Sequence, residues 1–154
     1  MRCRRTAAVN VKGDAAGSPN LFSATPVPTP SLADYAKQYE VIVAPVNEAL
    51  TVYTEGYASI PPEVYQGSRP LVGALQTANA ALVTVRWPAS VAGDMATLVA
   101  DDIEVMEQLN YAATVSGSEL LAWEQDLKAA FAKMDAATAA VHADLGMTAP
   151  TPIS

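Results

Sequence analysis

Four carboxylates stand within seven residues, at Asp101, Asp102, Glu104 and Glu107, and form the densest set of ionisable side chains in the sequence. A divalent cation needs several oxygens converging at about 2.0–2.6 Å, and on a helix Asp101, Glu104 and Glu107 share a face at spacings of three. A solvated helix face has the same pattern. The chain contains no EF-hand loop and no Glu-x-x-His pair of the di-iron bundles. His142 is its only histidine, which excludes a multi-histidine metal centre and a bis-histidine haem. A haem held by His142 and a methionine would draw on Met95, Met106 or Met134, whose spacing suits the filling of a core. There is no G-x-S-x-G elbow, and Cys3, the one cysteine, lies in the N-terminal tail far from His142. No Gly-rich phosphate loop follows a strand. The residues therefore assign no catalytic group, cofactor or metal, and the expectation is a protein that is not an enzyme. An enzyme or metal protein using the Asp101–Glu107 face ranks last among the readings.

The tyrosines offer binding chemistry. Tyr35, Tyr39, Ile42, Val46, Leu50, Tyr53 and Tyr57 recur at spacings of four, three, four, four, three and four, one stripe of a helix. Four hydroxyls on that stripe need partners, which suits either the edge of a core or a groove that receives an apolar partner. Pro45 interrupts the stripe, frees the Val41 carbonyl and predicts a kink that can splay neighbouring helices and open a cavity. The candidate groove is thus Tyr35, Tyr39, Pro45, Tyr53 and Tyr57, and its occupant an unidentified protein or a small apolar ligand. Trp87 and Trp123 read as core anchors.

These side chains must be positioned by helices. Hydrophobic residues make up 51% of the chain, many of them alanine, with few aromatic residues, a composition that favours helix over strand. The first helix is expected from Ser31, whose hydroxyl can cap it while Asp34 meets the positive end of its dipole. The second starts at Pro62 or after Ser68, with Pro70 then in its first turn, and buries Leu71, Leu75, Ala78, Leu82 and Val85. The third runs from about Ala89 to Ala113 with Met95, Leu98, Val99, Ile103, Met106 and Leu109 inward and Asp102 near the edge of that stripe. The fourth is predicted from Ser116 to Gly146, opened by a Ser116/Glu119 capping box, with Leu120, Trp123, Leu127, Phe131, Met134, Val141 and Leu145 on its buried face. Four helices with short connections predict an all-α, antiparallel up-down-up-down four-helix bundle over residues 31–149. The Ser/Thr/Pro-rich residues 1–30 read as a disordered spacer, and residues 150–154 as a disordered C-terminus.

Charge narrows the partners. Residues 1–30 carry a net +3, whereas the remainder carries five basic residues against fifteen carboxylates, a formal −10. Phosphate backbones would be repelled, so nucleic acid is excluded as an expected partner. No run reaches the ~18 apolar residues of a membrane-spanning helix. Only Met1 and Arg2 precede Cys3, so the apolar segment and small residue of a lipoprotein signal are lacking and Cys3 reads as a free thiol. Membrane attachment would need a lipidated start further upstream.

Several segments resemble a widespread group of small, alanine-rich secreted proteins and lipoproteins of actinobacteria whose function is not established. They are "YEVIVAPVNEAL" (Tyr39 to Leu50), "VRWPASVAGD" (Val85 to Asp94), "LLAWEQDL" (Leu120 to Leu127) and "VHADLGM" (Val141 to Met147). The resemblance implies a lipidated or exported chain with a Ser/Thr/Pro-rich spacer and a helical bundle, hence an extracytoplasmic or cell-envelope location. It carries no catalytic residues. The function expected is a non-catalytic bundle acting in binding or as an envelope-associated structural module, with carriage of a small apolar ligand near Pro45 as the alternative.

Overall fold

A computed structural model describes residues 29–56 and 61–152 of the 154-residue chain. Tyr57, Cys3 and nearly all of the expected spacer lie outside the described residues. The chain is all-α, an antiparallel up-down-up-down arrangement of α1 (Leu32–Glu55), α2 (Pro61–Leu82), α3 (Ala89–Tyr111) and α4 (Leu120–Asp144), with a 3₁₀ turn at Gly117–Glu119 leading into α4. No described helix is long and apolar enough to cross a membrane.

Three helices bury the same alternation of four and three. Val64, Ser68, Leu71, Leu75, Ala78 and Leu82 are buried on α2; Val91, Met95, Leu98, Asp102, Val105 and Leu109 on α3; Trp123, Leu127, Ala130, Met134, Ala137 and Val141 on α4. A repeat of 3.5 residues keeps one seam facing the neighbours along nearly parallel helix axes. Close packing joins α1 to α2, α2 to α3 and, most extensively, α3 to α4. The fourth side is closed by side-chain tips, with Tyr39 meeting His142 at 5.6 Å and Tyr53 stacking on Phe131 at 5.8 Å between ring centroids.

The helix ends differ from expectation in instructive ways. Ser31 does cap α1, in a full capping box: its Oγ accepts from the Asp34 backbone N–H at 3.2 Å, and Asp34 Oδ2 accepts from the Ser31 N–H at 2.9 Å. These bonds favour the ionised carboxylate and lower the Asp34 pKa. The box predicted at Ser116 does not form. Glu119 instead accepts from the Tyr111 hydroxyl at 3.3 Å, and the intervening residues close as a 3₁₀ turn with Gly117 at φ +57°. At the other end Gly146, at φ +68°, terminates α4 in a Schellman motif, with Met147 N–H to the His142 carbonyl at 2.8 Å and Gly146 N–H to Ala143 at 3.1 Å.

Both internal prolines are accommodated within continuous helices. Pro70 lies in the third turn of α2, not its first, because the buried register already begins at Val64 and Ser68 and carries the helix through. Pro45 faces outward on α1. Each tryptophan anchors a helix C-terminus through its indole: Trp87 Nε1–H donates to the Leu82 carbonyl and Trp123 Nε1–H to the Gln108 carbonyl, both at 2.9 Å. Each carbonyl also accepts a backbone N–H, from Val85 at 3.3 Å for Leu82 and from Ala112 at 3.2 Å for Gln108, so the indole adds a second bond at a helix end.

Candidate functional site

The unbroken register of α3 carries an aspartate into the core. From Val91 to Leu109 the spacing alternates four and three, and the fourth position of that series is Asp102, which is 4% exposed. The expected inward residue Ile103 is instead 44% exposed, and Val105 takes the place assigned to Met106. Counting from strongly apolar residues alone had rotated the stripe by about one position, because a carboxylate is the residue a core is least expected to hold.

Burial, then the charge of neighbouring Asp101, pushes the Asp102 pKa up to about 7. Its Oδ1 has no protein hydrogen-bond partner among the described residues. Across from it stands Tyr39 of α1, 2% exposed, whose phenol is pushed well above its ordinary range by burial and then by the Asp102 charge. The two side chains line one cavity of about 80 Å³. Helix α1 contributes Val43, Val46, Asn47 and Leu50 besides Tyr39; α2 contributes Ala78; α3 contributes Leu98 and Asp102; α4 contributes Met134, Asp135 and Thr138. Pro150 and Thr151, beyond the end of α4, complete the lining. The Thr138 hydroxyl donates to the Met134 carbonyl at 2.8 Å, which leaves only its lone pairs for any further partner.

Near the cavity, His142 meets the Tyr39 ring in a T-shape at 89° and its Nδ1 donates to the Thr148 carbonyl at 2.7 Å. That bond ties the segment after Gly146 back onto α4. It commits one ring nitrogen of the sole histidine to the backbone, as a positioning group rather than an exposed ligand.

The tyrosine stripe is distributed along the whole of α1. Tyr35 packs against Trp87 at 5.9 Å near one end of the bundle, Tyr39 lines the cavity, and Tyr53 is buried against Phe131 near the other end. Pro45 itself does not line the cavity, although Val43 and Val46 on either side of it do. Tyr57 lies outside the described residues. The acidic run divides as well: Asp102 points inward, while Glu104 is held by Lys133 of α4 at 2.7 Å, an exposed pair that raises the lysine pKa. No group of three or more His, Cys, Asp or Glu side chains converges among the described residues.

A second, open concavity of about 320 Å³ lies at the α2–α3 corner, lined by Leu82, Val83, Val85, Trp87, Ala92, Met95, Ala96 and Val99. The residues that line it are apolar in type, and Val83 at its rim is 67% exposed.

The apolar periodicity of α2 does not single out Asn79. It is 7% exposed on α2, one residue beyond the cavity-lining Ala78, and neither amide atom has a protein partner among the described residues. Its one sequence signal is its place directly after Ala78 on the apolar stripe of α2.

Comparison with protein-family models, with curated proteins and with solved structures gives no match.

Proposed function

We propose that this protein is a non-catalytic binding module whose site is the cavity between the four helices around Asp102. One observation carries the reading: a core aspartate, 4% exposed, with an oxygen lacking any protein partner, facing a cavity it shares with Tyr39. A buried polar group without a partner costs on the order of 1–3 kcal/mol, and a charged one more, so its retention asks for a compensating role. The cavity volume of about 80 Å³ is roughly half that of an engineered cavity of ~150 Å³ that holds benzene. It suits a group of a few heavy atoms, well below the roughly 300–1,000 Å³ usual for pockets that take drug-sized ligands. The non-catalytic reading is supported by the lining itself, where the Thr138 hydroxyl donates into its own helix and no histidine, cysteine or lysine side chain takes part.

A second reading, docking of an apolar side chain from a protein partner, is supported by the open groove at the α2–α3 corner with its exposed Val83. The resemblance to exported actinobacterial bundles and the proline-rich residues 1–30 support an extracytoplasmic place for either activity.

Titration of small polar fragments into the ¹⁵N-labelled full chain tests the site. The expected result is saturable shifts at Tyr39, Leu98, Asp102 and Thr138. Shifts confined to Val83, Trp87 and Ala92 would transfer the function to the corner groove, and a fragment set that moves neither region would defeat the binding reading.

A further inference from the structure

Building on that reading of the cavity as a binding site, we infer that its ligand is a small organic cation, a primary alkylammonium group seated on the Asp102 carboxylate against the Tyr39 ring. The cavity lining decides the sign of charge. Two carboxylates line it, Asp102 from α3 and Asp135 from α4, and none of Lys37, Arg69, Arg86, Lys128 or Lys133 does. An anion would meet only like charge there. A neutral apolar guest would leave Asp102 Oδ1 as it stands, buried and without a protein partner.

The chemistry of the remaining lining separates an ammonium from a metal ion. An ammonium brings three N–H donors and no acceptor, so every polar partner it meets must accept. Asp102 Oδ1 accepts, and the Thr138 hydroxyl, its proton committed to the Met134 carbonyl, has only lone pairs to offer. Tyr39 supplies an aromatic wall of the kind whose π face attracts organic cations. Val43, Val46, Leu98 and Met134 give an alkyl portion apolar contacts that a hydrated metal ion does not use. A divalent ion needs more converging oxygens, and no three-residue acidic cluster occurs among the described residues. The volume of about 80 Å³ admits a cation of three or four heavy atoms.

The groups facing Asp102 set the pH response. Tyr39 faces it from α1, α2 presents only Ala78, Asp101 adjoins it on α3, and Asp135 shares its cavity from α4, with His142 set behind Tyr39. Uptake of the ammonium requires Asp102 to be ionised, so binding releases its proton.

The test is titration of ethylammonium chloride into the full chain, followed by ¹⁵N shifts and calorimetry, beside ethanol, acetate, sodium chloride and magnesium chloride at matched ionic strength. Ethylammonium is expected to bind saturably at Tyr39, Asp102 and Thr138, about tenfold more tightly at pH 8 than at pH 6. His142→Gln is expected to keep that ratio, and Asp102→Asn, a near-isosteric change monitored for intact folding by its melting temperature, to weaken binding at least tenfold. Equal, saturable effects of sodium or magnesium would replace the proposal with an inorganic ion site. Ethanol or acetate binding as tightly as ethylammonium would overturn the cation while leaving a binding cavity. No binding by any probe would remove both readings and leave a hydrated pocket.

Discussion

Asp102 makes a specific demand on stability. Its pKa is raised from the ordinary 3.8 to about 7 in the folded chain, so between these values the native state holds a proton that the unfolded state has lost. Stability therefore falls as pH rises from about 4 to about 7 and is flat above that range, to an extent on the order of 4 kcal/mol if the whole shift is realised. Asp102→Asn removes the titration. The variant is expected to be more stable than the wild type at pH 8 and about equally stable at pH 4, as measured by urea denaturation across that range. A difference independent of pH would show that Asp102 does not carry the effect. The residue was visible in the sequence as one of four adjacent carboxylates, but its role was not. That depended on whether the alternation begun at Val91 continued unbroken through position 102, and only the packing of α3 against its neighbours decides this. Ile103 went wrong for the same reason: hydrophobicity alone placed it inward, whereas the helix phase turns it out.

At the scale of elements, the interiors of the helices were legible and their ends only in part. Periodicity located all four helices, and Ser31 and Gly146 were recognisable because each needs only residues within a turn or so of itself. Ser116 and Glu119 carry the same local signature as Ser31 and Asp34. There a tertiary competitor, the Tyr111 hydroxyl, takes the Glu119 carboxylate. The two tryptophans show the converse, since their burial was predicted but not the indole bonds that finish α2 and hold α4 to the end of α3. Trp123→Phe keeps most of the buried ring and deletes the donor to the Gln108 carbonyl. Calorimetry is expected to show a loss of about 0.5–1.5 kcal/mol, a few degrees in melting temperature, with the helical circular-dichroism signal unchanged. An unaltered melting temperature would mean that the Ala112 N–H, which also donates to that carbonyl at 3.2 Å, is enough by itself.

For the molecule as a whole, packing is sequential: each helix leans on the next in the chain, and the α3–α4 pair has the most extensive interface. Amide exchange should reflect this gradient, slowest at Val105, Leu109, Ala130 and Met134 and faster along α1, whose approach to α4 relies on aromatic tips. Uniform protection of all four helices would show instead that the bundle opens only as one unit. The sequence made the number and direction of the helices readable, because amphipathic stripes and short connections are local properties. The candidate cavity was less so, since it takes lining from all four helices and from two residues beyond α4.

The side of the bundle closed by Tyr39 with His142 and Tyr53 with Phe131 has a consequence for the order in which the protein comes together. Those rings join positions 103 and 78 residues apart, whereas the other three helix interfaces link neighbours along the chain. Contacts between chain neighbours pay little loop-closure entropy and form early; distant ones wait for them. The cavity has walls on both sides of that join, so it is expected to close only after the helices and most of the core have formed.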